Sequence, residues 1–176
     1  LDVTGQSLEP EGVITAAGGV PTPELEALLN RLCRVAVLAN EGFLAHRDHG
    51  WVHHGDAVDV ALLVMAHKAG IVQAEALQAC PEVAVIPFES EHLFSASLNA
   101  ADGEQHAFVK GALERLLPMC STMPAAGGPV ALDRDALEQQ AQKLAARGYR
   151  VLALASGKIS LAAGEVFSEE HLQQLD

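Results

Sequence analysis

Asp102-Gly103 stands between two segments of strand character, Phe94 to Asn99 and Glu104 to Lys110. An Asp-Gly pair tolerates the backbone angles of a tight turn, so it is a strong short-range signal that its flanks pair as an antiparallel hairpin. Helical patterns lie on both sides of it. Thr22 caps a helix with Pro23 in its first turn, and Leu25, Leu28, Leu29, Leu32 and Ala36 give that helix one apolar face. The stretch "GDAVDVALLVMAHKAG" reads as a second helix stopped by Gly70, and a short helix over Glu75 to Ala79 precedes a strand from Val83 to Phe88. After the hairpin come a helix from Ala112 to Leu117, a loop at Gly127-Gly128-Pro129, and a long helix from Asp133 to Arg147 that Asp133 caps and Gly148 stops. The apolar strand Tyr149 to Ser156 and a weakly patterned tail complete the chain. Gly12 to Thr15 is a short strand, "AAGGVPTP" a flexible connection, and Trp51 to His53 a strand after a polar, His-rich loop. Helices and hairpin-joined strands do not alternate here as βαβ units. The expected fold class is therefore α+β, an antiparallel sheet flanked by helices.

At 176 residues the chain suits a single domain that buries about 70% of the surface exposed when unfolded. Its 49% hydrophobic content argues against disorder, and no apolar run approaches the ~20 residues needed to cross a bilayer. The chain begins Leu1-Asp2-Val3, without Met or a signal-like core, and reads as a piece of something longer. Twenty-three acids against eleven bases give a net charge of −12, which works against binding a nucleic acid or an anionic membrane surface. An anionic ligand must find a local basic pocket. Cys33, Cys80 and Cys120 form no CxxC pair and read as reduced thiols that pack.

The common catalytic motifs are missing. "SGKIS" has a Gly-Lys pair, but Ile159 follows where a phosphate-binding loop needs Ser or Thr, and Leu152 replaces its leading glycine. There is no GxSxG and no HExxH. "HRDHGWVHHGD" brings His46, His49, His53 and His54 near Asp48 and Asp56, a donor set suited to a divalent metal. The spacing matches no defined site, and a solvated loop is the preferred reading.

Four phrases remain: "GDAVDVAL", "IPFES", "FVKGALERLLPMCS" and "GYRVLALA". In this order they resemble the nucleotide-binding domain of P-type cation-transporting ATPases, in the calcium, magnesium and proton pump branch. That family's corresponding phrases are approximately GDPTEGAL, FDSERKRMS, FVKGAPE and RxLALA. The resemblance covers nearly the whole chain and implies a P-type ATPase N-domain-like fold. It implies that Phe88 stacks on adenine, that Lys110 forms the floor of the adenine pocket, and that Gly111 lets the backbone come close to the ligand. It further implies that Arg150 approaches the phosphates and that Asp59 lies near the purine. The chain departs from the family at His92-Leu93-Phe94, where a basic cluster is expected and a nucleotide-touching lysine falls on Leu93. It departs again at Ala57-Val58-Asp59, which replaces Pro-Thr-Glu. Both departures bear on affinity and nucleotide preference.

The residues support weak ATP binding on their own chemistry. Stacking a base on an aromatic ring contributes about 1–3 kcal/mol, and an arginine offers phosphate oxygens a planar fork of donors. Taken singly, however, Phe88 would be core packing, Lys110 and Arg150 solvated charges at strand ends, and Asp59 the partner of Asp56 in a capping box. The resemblance further implies a parent membrane pump with this domain on its cytoplasmic face. There, ATP with Mg²⁺ would be delivered to an aspartate in an Asp-Lys-Thr-Gly-Thr segment absent from these residues. The phosphorylation and actuator domains of the same parent chain would be its partners, and the fragment alone would hold ATP without hydrolysing it. Two other classes stay open: a non-catalytic regulatory or interaction domain with a degenerate pocket, and a histidine-loop metal module.

Overall fold

The computed structural model describes residues 1–5, 7–16, 19, 21–125, 127–162 and 164–176. Ala17, Gly18 and Val20 of the expected flexible connection lie outside the described residues. Contacts divide the chain into two compact units, Leu1–Cys80 and Pro81–Asp176.

In the N-terminal unit, β1 (Asp2–Val3) pairs antiparallel with β2 (Ile14–Thr15). Helix α1 (Pro23–Leu38) starts where expected, its Thr22 hydroxyl accepting from the Leu25 N–H at 3.4 Å. The strand expected at Trp51 to His53 is β4 (Gly50–His54), and the His-rich segment before it, read as a loop, is instead its hairpin partner β3 (Phe43–Arg47), with the turn at Asp48-His49. Histidines at strand positions hid the alternation. Leu44 and Trp51 lie on one face of this hairpin and pack into a core with Cys33, Val37, Val60 and Leu63, which is what fixes its register. Helix α2 (Ala57–Lys68) is capped by the Asp56 carboxylate, which accepts from the Val58 N–H at 2.8 Å. Helix α3 (Gln73–Ala79) follows.

The C-terminal unit is built on a four-stranded antiparallel sheet. Its strands are β5 (Glu82–Ile86), β6 (Phe94–Ala101), β7 (Glu104–Gly111) and, arriving last, β10 (Ala153–Ile159), in spatial order β10-β7-β6-β5. Asp102 at φ 53° and Gly103 at φ 79° make the expected tight turn between β6 and β7. Between β7 and β10 run α4 (Leu113–Leu116), a 3₁₀ turn at Leu117–Met119, the short pair β8 (Thr122–Met123) and β9 (Val130–Ala131), and α5 (Arg134–Ala145). Asp133 caps α5 through the Ala136 N–H at 3.0 Å.

Alternation along β6 sends Phe94, Ala96 and Leu98 to the core face of the sheet. There they meet Ala107 and Val109 of β7, Ala155 and Ile159 of β10, and Leu116 and Met119. The weakly patterned tail is part of this core: Phe167, Leu172 and Leu175 are buried in it, and Asp176 exchanges two backbone hydrogen bonds of 2.9 Å with Ser156.

Two strand boundaries differ from expectation. Strand β5 ends at Ile86, because Pro87 has no N–H to donate to a ladder, so Phe88 falls in the following loop. Strand β10 begins at Ala153 rather than Tyr149. The reason lies in how α5 ends: the Gly148 and Tyr149 N–H groups bond back to the carbonyls of Ala145 and Leu144, with Gly148 at φ 83°. That capping arrangement uses Tyr149's donor, and Ala153 already pairs with Gly111, the last residue of β7.

Candidate functional site

The site is built from the end of the sheet at which β6 starts and β7 finishes. Phe94 pairs with Gly111, which pairs with Ala153, while Ser95 pairs with Lys110, which pairs with Leu154. On the next strand outward, Ile86 pairs with Ala96, so Phe88, two residues further on, leaves the sheet at this same end. Arg150 precedes Ala153 by three residues, is exposed, and enters the sheet from here as well. The register thus gathers four of the five expected residues at one sheet end, although Phe88 and Arg150 lie in connections rather than in the strands read for them. Asp59 belongs to the N-terminal unit. There it is buried in the first turn of α2, and its carbonyl accepts from Asn40 Nδ2 at 3.1 Å.

Phe88 is 48% exposed, so it is not the packed core phenylalanine its apolar neighbours suggest. Lys110 is the opposite case, with only 6% of its surface exposed rather than being a solvated strand-end charge. Its register partner Ser95 is 3% exposed, and the Ser95 hydroxyl has no hydrogen-bond partner among the described residues. An unsatisfied buried hydroxyl costs about 1–3 kcal/mol, so this end of the sheet holds a polar group whose hydrogen-bonding capacity is unused. Ser95, Ser97 and Asn99 line the non-core face of β6, and all three are buried.

The packing at the start of β6 gives Gly111 a structural reason to be glycine. A Cβ there would lie 2.5 Å from the Leu93 carbonyl oxygen and 2.6 Å from the Phe94 Cβ. The neighbour that demands glycine is the entry to β6, where the Ala112 N–H also donates to the Leu93 carbonyl at 2.9 Å. Leu93, the position at which the chain departs from the family, has φ 61°, a left-handed backbone uncommon for a residue with a branched side chain.

The loop carrying Phe88 folds on itself. His92 and Leu93 N–H groups both bond to the Glu89 carbonyl, at 3.0 and 2.9 Å. Within it the His92 ring nitrogen Nδ1 lies 3.5 Å from the Glu89 carboxylate. Arg115, which nothing in the sequence singled out, donates from Nε to the His92 carbonyl at 2.9 Å.

The histidines of the β3–β4 hairpin are arranged differently from a ligand set. His46 and His67 meet the Trp51 ring edge to face, with centroids 5.1 and 4.7 Å away. Among the described residues no group of three or more His, Cys, Asp or Glu side chains could hold a metal ion.

Residues 28–175 match the family model described as P-type ATPase, cytoplasmic domain N. The chain belongs to this family. The cation-transporting ATPase pma1 of Synechocystis sp. is 34% identical over 160 residues, covering 88% of this chain and 18% of the relative. The sodium/potassium exporting P-type ATPase cta3 of Schizosaccharomyces pombe is 32% identical over 133 residues, covering 74% of this chain and 13% of the relative. The calcium-transporting ATPase type 2C member 1 of Bos taurus is 27% identical over 163 residues, 89% of this chain and 16% of the relative. The N-domain chain therefore spans less than a fifth of the length of these relatives, two of whose names specify different ions, sodium/potassium and calcium. Among its described residues no single helix is long and apolar enough to cross a membrane.

Proposed function

We propose that this chain is one ATP-binding N domain, and that the sheet end carrying Phe88, Lys110, Gly111 and Arg150 takes the nucleotide. The exposure of Phe88 carries the reading. A chain with only 4% aromatic residues leaves a phenylalanine half uncovered at the same sheet end as a buried lysine and a buried hydroxyl that lacks a partner among the described residues. The ring offers a face for the purine, Lys110 a buried cation, and Arg150 an exposed donor fork for phosphate oxygens. This set fits ATP. Mg²⁺ would arrive on the phosphates and supply charge neutralisation there.

In a whole pump the domain would present the terminal phosphate to a phosphorylatable aspartate of a neighbouring domain, at the cytoplasmic face of a membrane, so that the energy of ATP drives cation transport. The role of this chain is then positioning: it holds the base so that closure toward its neighbours brings the phosphate into line. Its 176 residues contain no Asp-Lys-Thr-Gly-Thr segment, and incubation with ATP and Mg²⁺ should yield no phosphoprotein.

Titration followed by amide chemical shifts tests the reading. ATP should bind with a Kd of about 0.1 to a few mM, ~4–5 kcal/mol, and ADP similarly, because base recognition dominates. Shifts should centre on Phe88, Lys110 and Arg150. No nucleotide binding at several millimolar would leave the interaction-domain reading, which the apolar Leu93 in place of a lysine favours.

A further inference from the structure

Arg115 joins three parts of the C-terminal unit that are distant in sequence. It lies in α4 with 37% of its side chain exposed. Its Nε donates to the His92 carbonyl at 2.9 Å, its Nη2 donates to Glu169 Oε1 at 2.7 Å, and its Cζ stands 5.8 Å from the centroid of the Phe94 ring. His92 belongs to the loop that presents Phe88, Phe94 opens β6, and Glu169 starts the 3₁₀ turn Glu169–His171 of the tail. A guanidinium is planar and its donors point in fixed directions, so bonds on two of its edges determine its orientation, and with it the position of what it holds.

The loop needs such a support. The His92 and Leu93 N–H groups share one acceptor, the Glu89 carbonyl, and the loop closes at Leu93 in a left-handed backbone that persists only where the surroundings impose it. The turn is tied to its surroundings by Arg115 on the His92 carbonyl and by the Ala112 N–H on the Leu93 carbonyl.

We infer that Arg115 is a positioning residue for the nucleotide loop, and that Glu169, by orienting the guanidinium, makes the placement of Phe88 depend on the C-terminal tail. The inference rests on the ATP-binding reading for its functional consequence, but the mechanical part stands on the bonds alone.

The test uses the 176-residue chain as wild type, Arg115→Ala, Arg115→Lys, Glu169→Gln and the charge swap Arg115→Glu with Glu169→Arg. ATP affinity and melting temperature are measured for each, together with hydrogen exchange at the Leu93 and Ala112 amides. Arg115→Ala should weaken ATP about three- to tenfold, the scale of one lost charge-assisted bond transmitted through a loop. Exchange at both amides should accelerate, while the melting temperature moves little for a partly exposed side chain. Arg115→Lys, which keeps the charge without the fork, should fall between, as should Glu169→Gln. The charge swap discriminates: it can rebuild the ion pair, but a carboxylate at 115 cannot donate to the His92 carbonyl. The melting temperature should stay near that of wild type, and ATP affinity should remain as weak as in Arg115→Ala. Wild-type affinity in Arg115→Ala, or affinity that returns with the swap, would overturn the inference and leave a structural ion pair. If the wild type binds no ATP, the ATP reading falls instead, and the positioning role is decided by exchange: unchanged rates at Leu93 and Ala112 in Arg115→Ala would overturn it.

Discussion

Replacing Gly111 by alanine should destabilise the C-terminal unit at the candidate site itself. The added Cβ would stand 2.5 Å from the Leu93 oxygen, 2.6 Å from the Phe94 Cβ and 2.8 Å from the Phe94 Cα. None of these atoms belongs to the far end of a flexible side chain, so no rotamer change relieves the overlap. The strand ends must separate where Gly111 pairs with Phe94 and where the Ala112 N–H meets the Leu93 carbonyl. Overpacking of this kind costs about 1–3 kcal/mol, and a weakened backbone hydrogen bond adds ~0.5–1.5 kcal/mol. A total of ~2–4 kcal/mol corresponds to a drop in melting temperature of roughly 4–16 °C at this chain length. Gly127→Ala is the matched control, since nothing lies within 4 Å of its added Cβ and its φ is not left-handed. Thermal unfolding followed by circular dichroism compares the two variants. Equal melting temperatures would refute the close approach of β7 to the entry of β6, and with it the account of why glycine follows Lys110.

Ser95→Ala should raise the melting temperature by a few degrees, because it removes a buried hydroxyl that has no partner, at a gain of about 1 kcal/mol; a lower melting temperature would show that the hydroxyl is bonded. The tail should be anchored in a pH-dependent way through the 3.0 Å contact between His171 Nε2 and Glu165 Oε1. That hydrogen bond is the leading cause both of the His171 pKa lying above its ordinary 6.5 and of the Glu165 pKa lying below its ordinary 4.5. The imidazole contribution is full below pH 6.5 and fades as pH rises through the raised value, while the carboxylate contribution is full above pH 4.5 and fades as pH falls. The stability difference between wild type and His171→Gln should therefore peak between those two values and shrink on either side, which denaturant titration across pH will measure. Burial pushes the Cys33 and Cys120 thiols up to about 11, so both should resist iodoacetamide at neutral pH in the folded chain and react once it is unfolded, as mass spectrometry can follow.

Local chemistry carried the elements whose limits the sequence marks. Thr22 and Asp133 cap helices, Gly148 stops one, and Asp102-Gly103 turns the hairpin, each through bonds among near neighbours. The misplaced elements depend on distant partners. Histidines obscure the β3–β4 hairpin until Leu44 and Trp51 are seen to pack on α1 and α2, and the tail gains meaning only once Leu172 and Leu175 meet β10 and β7. Pro87 could have ended β5 in the sequence reading, since its missing N–H is a local fact. At the site, the order of four phrases suggested Phe88, Lys110, Gly111, Arg150 and Asp59; the register puts Lys110 and Gly111 at the sheet end near which Phe88 leaves β5 and Arg150 precedes β10, whereas Asp59 lies in the N-terminal unit. Arg115 was invisible because its partners His92 and Glu169 are 23 and 54 residues away. Ser95 was half legible: the alternation Phe-Ser-Ala-Ser-Leu-Asn assigns it to the polar face of β6, but only the three-dimensional arrangement shows its hydroxyl without a partner.

Phe88 is either a ligand platform or part of the packing. Calorimetric titration of ATP into wild type and Phe88→Ala, with melting curves for both, separates the two. Because the ring is 48% exposed, its removal should change stability by about 0.5 kcal/mol, against ~3–5 kcal/mol for a core phenylalanine. Loss of a stacked base should weaken ATP by about 1–3 kcal/mol, roughly 5- to 150-fold. Unchanged affinity together with a collapsed melting temperature would contradict the proposed site and return Phe88 to the core.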